Sequence, residues 1–315
     1  MRLPYKLSAL LLALALLTGC TAQDRPLEVA LVLKTTVETA EFWEQVMDGV
    51  YSAVDEFGVQ LTVASPPSET AVEEQIAIME ETIQASPDVI ILTSSDYDRL
   101  APVTEAADAA GICVITMDSD VHSDVRKTFV ASDNYQIGLE LGRRMRDVLD
   151  AGQVAVLTHS TVASSGMDRA QGAVDAMASN PELEVVGVYD CENDGTKAKA
   201  IVSRLLDAYP ALSGFVCTNE VCNLAVAAQL TALDLGGRVA VIGCDNSQQQ
   251  IQYLEQNVIQ AIVIQRPFNM GYTAVEQAVR AARGEPLPDF TEIACVAITQ
   301  DNMYNFDNQK LLFPF

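Results

Sequence analysis

Four hydrogen-bonding side chains stand where apolar runs stop. Asp118 follows Ile112 to Met117, Asn219 follows Phe215 to Thr218, Asp245 follows Val239 to Gly243 by way of Cys244, and Gln265 follows Ala261 to Ile264. Two carboxylates and two amides in such places accept from, and donate to, the hydroxyls of a small polar molecule. The ionised carboxylates give strong charge-assisted hydrogen bonds without requiring a charged partner. Phe42 and Trp43, the latter the only tryptophan of the chain, offer apolar ring faces that the C–H groups of such a molecule can cover. Each residue also has a purely structural alternative. Asp118 and Asp245 serve equally as turn or helix caps, Asn219 as the N-cap of the next helix, Gln265 as a partner for backbone, and the two aromatics as core.

Other chemistries are short of residues. His122 and His159 are the only histidines and no Cys-x-x-Cys occurs, so a zinc cluster lacks ligands. His159 precedes Ser160, but neighbours on a strand point to opposite faces, and no third group completes a nucleophilic triad. Asp118 and Asp245 would suit glycoside hydrolysis only with their carboxyls about 5 to 9.5 Å apart, and binding explains them without any reaction. There is no Gly-rich phosphate loop. Neither an enzyme nor a cofactor is expected.

The elements that must carry these side chains are legible as an alternation. Short runs of Val, Ile and Leu (27–33, 59–64, 88–92, 112–117) are separated by stretches with helical spacing, such as Glu41 to Phe57, where Val46, Val50, Val54 and Phe57 share a face. A second series follows Ser132, with strands expected over 154–158, 185–189, 214–218, 238–243 and 259–264 and helices between them. Strand alternating with crossover helix predicts the α/β class with doubly wound parallel sheets, and open parallel sheets take ligands at the carboxyl ends of their strands. Roughly 295 residues after the leader exceed one core, so two domains are expected.

The first residues set the compartment. Arg2 and Lys6 precede an apolar run from Leu7 to Leu17, about half the length that spans a bilayer, followed by Leu17-Thr18-Gly19-Cys20. This reads as a signal peptide, and its end resembles the bacterial lipobox, in which the cysteine is acylated and becomes the first mature residue; Cys20 is then the lipid attachment point. Removing the leader leaves 17 basic against 43 acidic residues, a net charge of −26, which makes nucleic acid an unsuitable partner. Six cysteines remain (113, 191, 217, 222, 244 and 295), and their pairing cannot be read from their spacing.

Further groups of residues stand in order along the chain: Ala40-Glu41-Phe42-Trp43, Ile115-Thr116-Met117-Asp118, Ala131-Ser132-Asp133-Asn134 with Gly138, Asp168-Arg169 with Gly172, Asn219-Glu220, Val241-Ile242-Gly243-Cys244-Asp245, and Ala261 to Pro267 with Gly271. Over nearly all of the mature chain these resemble the ribose-type branch of the periplasmic sugar-binding proteins. The resemblance implies two lobes of the type 1 fold joined by a three-segment hinge and closing on a ligand. It divides the chain into a leader (1–20), a tether (21–26), an N-terminal lobe (27–131 plus 266–294) and a C-terminal lobe (132–265 plus 295–315).

By the same resemblance Phe42 and Trp43 cover the apolar face of a ring, while Asp118, Asn219, Asp245 and Gln265 hold its hydroxyls. The implied partners are a sugar or polyol, an ABC permease with its cytoplasmic ATPase, and the membrane through the lipid anchor. Two departures concern the ligand. Family members carry an arginine directly after the strand-end aspartate and another just before Asp168-Arg169; this chain has Ser119 and Met167 there. An aromatic of the second lobe is replaced around Asn193, and Arg169 is expected to serve structure more than ligand contact. The pocket is therefore expected to lack both cationic clamps and to be acidic, which admits a modified sugar, a nucleoside or an amine. Two other functions use this architecture. A repressor's effector domain would need DNA-binding helices ahead of the first strand, where the leader stands. A sensor subunit for a membrane receptor or kinase remains compatible with every residue named.

Overall fold

The computed structural model describes residues 25–313; the leader, Cys20 and tether residues 21–24 lie outside them. In chain order the strands are β1 (Glu28–Val32), β2 (Gln60–Ala64), β3 (Val89–Leu92), β4 (Cys113–Met117), β5 (Phe129–Ala131), β6 (Gly152–Thr158), β7 (Leu183–Asp190), β8 (Leu212–Cys217), β9 (Ala240–Cys244), β10 (Ala261–Ile264), β11 (Phe290–Glu292) and β12 (Val296–Thr299). They form two six-stranded sheets, in the orders β11-β5-β4-β3-β1-β2 and β12-β10-β9-β8-β6-β7. The two orders correspond strand for strand, so β4 of one lobe is the counterpart of β9 in the other.

Strands such as Val89–Leu92 and Ala261–Ile264 have every residue buried, which is why they read as continuous apolar runs: helices cover both sheet faces. Each fully buried Leu or Ile contributes roughly 1.5–3 kcal/mol relative to exposure. All pairings are parallel except β10 with β12. The exception follows from the chain path. Only residues 293–295 separate β11 from β12, too few for a crossover helix, so the chain enters the second sheet running back along β10.

The chain passes between sheets three times, after β5, after β10 and after β11. In the first lobe, helix α1 (Glu41–Phe57) crosses α9 (Pro267–Ala282) closely, because a Cβ on Gly49 would stand 1.9 Å from the Phe268 carbonyl oxygen. In the second, α4 (Asn134–Val148) crosses α5 (Ser164–Ala178) in the same way, with the Gly138 Cβ position 2.3 Å from the Arg169 carbonyl oxygen. Only glycine permits either approach. These crossings fix two helix starts at the mouth between the lobes: α1, bearing Phe42 and Trp43, and α5, bearing Arg169. The remaining helices are α2 (Val72–Ala85), α3 (Ala101–Ala109), α6 (Gly195–Ala208), α7 (Glu220–Ala232), α8 (Gln248–Glu255) and α10 (Phe306–Leu312).

Candidate functional site

Asp118 and Asp245 leave the counterpart strands β4 and β9 in the same manner. Both have left-handed backbone, with φ of 62° and 69°, a conformation that Asp tolerates better than most residues. Each backbone N–H donates to the neighbouring strand, Asp118 to Val130 O (3.0 Å) and Asp245 to Val263 O (2.9 Å). The twist turns both carboxylates toward the gap between the lobes.

There the structure brings together all six residues singled out from the sequence. Phe42, Trp43, Asp118, Asn219, Asp245 and Gln265 line one tight cavity with about 30 Å³ of free space, together with Lys34, Ala40, Glu69, His159, Arg169, Asn193 and Glu220. Phe42 and Trp43 meet edge to face, with centroids 5.0 Å apart, and both are buried in the first lobe's core as well as lining the cavity.

Several cavity residues also do structural work. Asn219 caps α7, its Oδ1 accepting from Cys222 N (3.0 Å), while its Nδ2 donates to Asn193 Oδ1 (2.8 Å). Asn193 in turn donates to Glu69 Oε1 in the other lobe (2.9 Å). Gln265 Nε2 donates to Asp245 Oδ1 (2.7 Å).

Helix α1 begins at Ala40, which has no side chain to cap it. Its orphan N–H groups at Glu41 and Phe42 donate instead to the Glu220 carboxylate of the other lobe, each at 3.2 Å. Glu41 returns the favour, its carboxylate accepting from Gln248 N at the start of α8 (3.2 Å). These bonds, with Tyr97 N to Val162 O (2.8 Å) and Asp120 N to Ser164 Oγ (2.7 Å), join the two lobes.

Lys34 leaves β1 as Asp118 leaves β4. Its Nζ is 2.9 Å from Asp118 Oδ2, donates to Ser119 Oγ (2.9 Å), and stands 3.7 Å from Glu69 Oε2. Ser119 and Met167 do stand where the family has arginines, but the cavity is not without cations, because Lys34 arrives from another strand beside the small Ser119. Met167 lies elsewhere, in a shallow hollow with Thr158, Ser160 and Gly166. Arg169 makes the structural bonds expected of it and keeps one nitrogen out of them. Nε and Nη1 donate to Asn134 Oδ1 (2.8 Å) and Thr218 O (3.0 Å), but Nη2 lies without a hydrogen bond, 3.7 Å from Asp118.

The electrostatics follow from these distances. Burial alone would raise the Asp118 pKa, but Lys34 and then Arg169 outweigh it and hold the carboxyl below its ordinary value. Burial raises the Glu69 carboxyl, and Lys34, closer to Asp118 than to Glu69, offsets that only in part. Glu220 is pushed up to about 8, first by burial and then by the charge of Asp245, against the pull of the α1 N–H groups. His159 is held well below its usual value by burial, then by Lys34 and Arg169, so it is neutral. Its ring lies between Thr218 Oγ1 (2.9 Å) and Ser165 Oγ (3.2 Å). Ser160 makes no pair with it: that hydroxyl accepts from Val162 N and Ala163 N ahead of α5.

Three polar atoms of the cavity residues are buried without a hydrogen-bond partner: Glu69 Oε2 and Gln265 Oε1, both acceptors, and Arg169 Nη2, a donor. Leaving such a group unsatisfied costs about 1–3 kcal/mol, so the cavity is suited to a guest bearing both donors and acceptors.

The comparisons with known proteins agree with this geometry. A family model described as the periplasmic binding protein domain matches residues 29–286. The D-allose-binding periplasmic protein of Escherichia coli is 25% identical over 289 residues, covering 87% of this chain and 92% of that protein. The ribose import binding protein of Bacillus subtilis is 25% identical over 281 residues, covering 85% and 90%. An ABC transporter solute-binding protein from Agrobacterium vitis, solved with bound D-fucose, has a TM-score of 0.87 at 25% identity, covering 91% of this chain and 100% of that one. One from Burkholderia graminis, in complex with D-arabinose, has a TM-score of 0.84 at 27% identity, covering 91% and 99%.

Twin α/β lobes with a polar cleft between their strand ends define a two-lobed solute-binding protein of the type 1 fold. The chain belongs to the periplasmic binding protein family, in the ribose-type branch of its sugar-binding members. That is a family of extracytoplasmic transport components, not of enzymes.

Proposed function

We propose that this chain captures a neutral sugar or polyol between its lobes and presents it to an ABC permease driven by a cytoplasmic ATPase, with Cys20 as its lipid anchor and no catalytic step of its own. The observation that carries the reading is the set of orphaned buried polar atoms, contributed by both lobes, around a cavity walled on one side by Phe42 and Trp43. A ring with hydroxyls at its rim and C–H groups on its faces satisfies both features. Phe42, Trp43, Asp118, Asn219, Asp245 and Gln265 are its proposed contacts, joined by Lys34 and Arg169.

Charge favours a neutral guest over an amine. With Glu220 protonated near neutral pH, the cavity's remaining carboxyls, Glu69, Asp118 and Asp245, face two cations, Lys34 and Arg169. The four-against-two excess of carboxyls over cations falls to three against two. A ligand touching both lobes binds the closed form preferentially and so drives closure.

Thermal-shift screening of the chain from Thr21 onward tests this, with pentoses, hexoses, polyols, nucleosides and amines as separate panels. Stabilisation confined to sugars or polyols is expected; a response to amines alone would replace the proposal with a cation binder. For the anchor, Cys20→Ser expressed with its leader is expected to move the protein from the membrane to the soluble extracytoplasmic fraction, and unchanged membrane association would remove the lipid role.

A further inference from the structure

Cys191 and Cys222, 31 residues apart, are both fully buried, and their Sγ atoms lie 2.6 Å from each other. That is about half an ångström beyond a disulfide bond of about 2.05 Å. Backbone hydrogen bonds fix both carriers. Cys191, just after β7, donates its N–H to Thr158 O (2.9 Å) and accepts from Asp194 N (3.0 Å); Cys222, in the first turn of α7, donates its N–H to Asn219 Oδ1 (3.0 Å). Between Cys191 and Asp194 the chain passes through Glu192 and Asn193, two successive residues with left-handed φ (53° and 52°). L-residues rarely adopt this arrangement, and it persists only where neighbouring structure over-determines it.

We propose that Cys191 and Cys222 form a disulfide in the mature extracytoplasmic protein, a covalent tie between the loop that presents Asn193 and the helix start that presents Asn219 and Glu220. The two thiols give up two protons and two electrons as the Sγ–Sγ bond forms. The oxidant is the disulfide of a thiol–disulfide oxidoreductase, which is reduced to its dithiol. Such oxidation belongs to the extracytoplasmic setting of the family. It accompanies folding of the second lobe, because both sulfurs are then sealed from solvent and burial pushes the Cys222 thiol up, disfavouring the reactive thiolate. The same burial protects the finished bond from reductants, so the second lobe's side of the cleft is set before any ligand arrives.

Thiol counting on the full mature chain, secreted or refolded with oxidised glutathione, tests the bond. Alkylation in denaturant without reductant is expected to label two fewer cysteines than after reduction. Trypsin leaves Cys191 on one peptide and Cys217 with Cys222 on another, and cleavage after Glu220 separates the latter two. The cross-linked peptide is therefore expected to join Cys191 to Cys222. Equal labelling, or a cross-link from Cys191 to Cys217, would overturn the proposal. Reduction is expected to lower the Tm by roughly 5–15 °C, given the loop closed. Cys191→Ser and Cys222→Ser are each expected to give the reduced Tm and to ignore reductant. An oxidised chain whose Tm does not change on reduction would show that the bond ties nothing.

Discussion

Glu220 should make ligand capture take up a proton. In the closed form burial, with Asp245 of its own lobe beside it, raises its carboxyl from an ordinary 4.5 to about 8, and opening, which removes the α1 cover, should return it toward the ordinary value. A carboxyl with a raised pKa favours the closed form at low pH: the contribution is fully present below about 4.5 and is lost as pH rises through about 8. At pH 7 closure should therefore bind most of a proton at Glu220, and the uptake should fall as pH rises through about 8. Between pH 6 and pH 9 the affinity should fall on the order of 10- to 100-fold. His159, held neutral in the closed form, would release about a quarter of a proton on closure at pH 7, where an imidazole of ordinary pKa 6.5 is still partly protonated, so measurements at pH 8 and above are free of its contribution. Isothermal titration with the sugar of largest thermal shift, in buffers of differing ionisation enthalpy, reads the proton count directly. Glu220→Gln keeps an acceptor for the α1 N–H groups but cannot titrate, and it should abolish the uptake. Binding by the unaltered chain without net proton uptake at pH 7, or identical uptake by the variant, would refute the reasoning.

Three other perturbations follow from the geometry. Asp245→Asn, which tolerates the left-handed backbone, should leave the far-UV circular dichroism unchanged and weaken binding at least tenfold by calorimetry, since a charge-assisted acceptor is lost. Lys34→Met should also weaken binding more than about tenfold, because closure would then bury Asp118 and Glu69 without the cation between them. Gly138→Val should destabilise the fold by roughly 3 kcal/mol in chemical denaturation, since its Cβ would strike the Arg169 carbonyl of the crossing helix.

How far the sequence reveals this molecule depends on whether a feature is local. Helix α1 is legible because Val46 and Val50 are zero per cent exposed, and their spacing is the stripe that buries them. Strands β5, β11 and β12 are not, because segments of three or four residues at sheet margins exist only through their pairing partners. Asp118 and Asp245 announce themselves by following apolar runs. Lys34 carries the same positional signal, yet a lysine after a strand also marks an ordinary solvated turn, so position alone does not single it out. Glu69 and Asn193 give no local signal at all. They sit on loops of different lobes, 124 residues apart, and meet only when the cleft closes. The proximity of Cys191 and Cys222 is hidden too, because 31 residues separate them and only the fold of the second lobe brings their sulfurs together.

A crystal structure of the chain grown with its best sugar or polyol tests the central claim most directly. The ligand is expected between the lobes, one ring face against Phe42 or Trp43, with hydroxyls within hydrogen-bond distance of Asp118, Asn219, Asp245 and Gln265 and of the orphaned Arg169 Nη2. A ligand bound at any other surface, or seated in the cleft but touching only one lobe, would contradict the account.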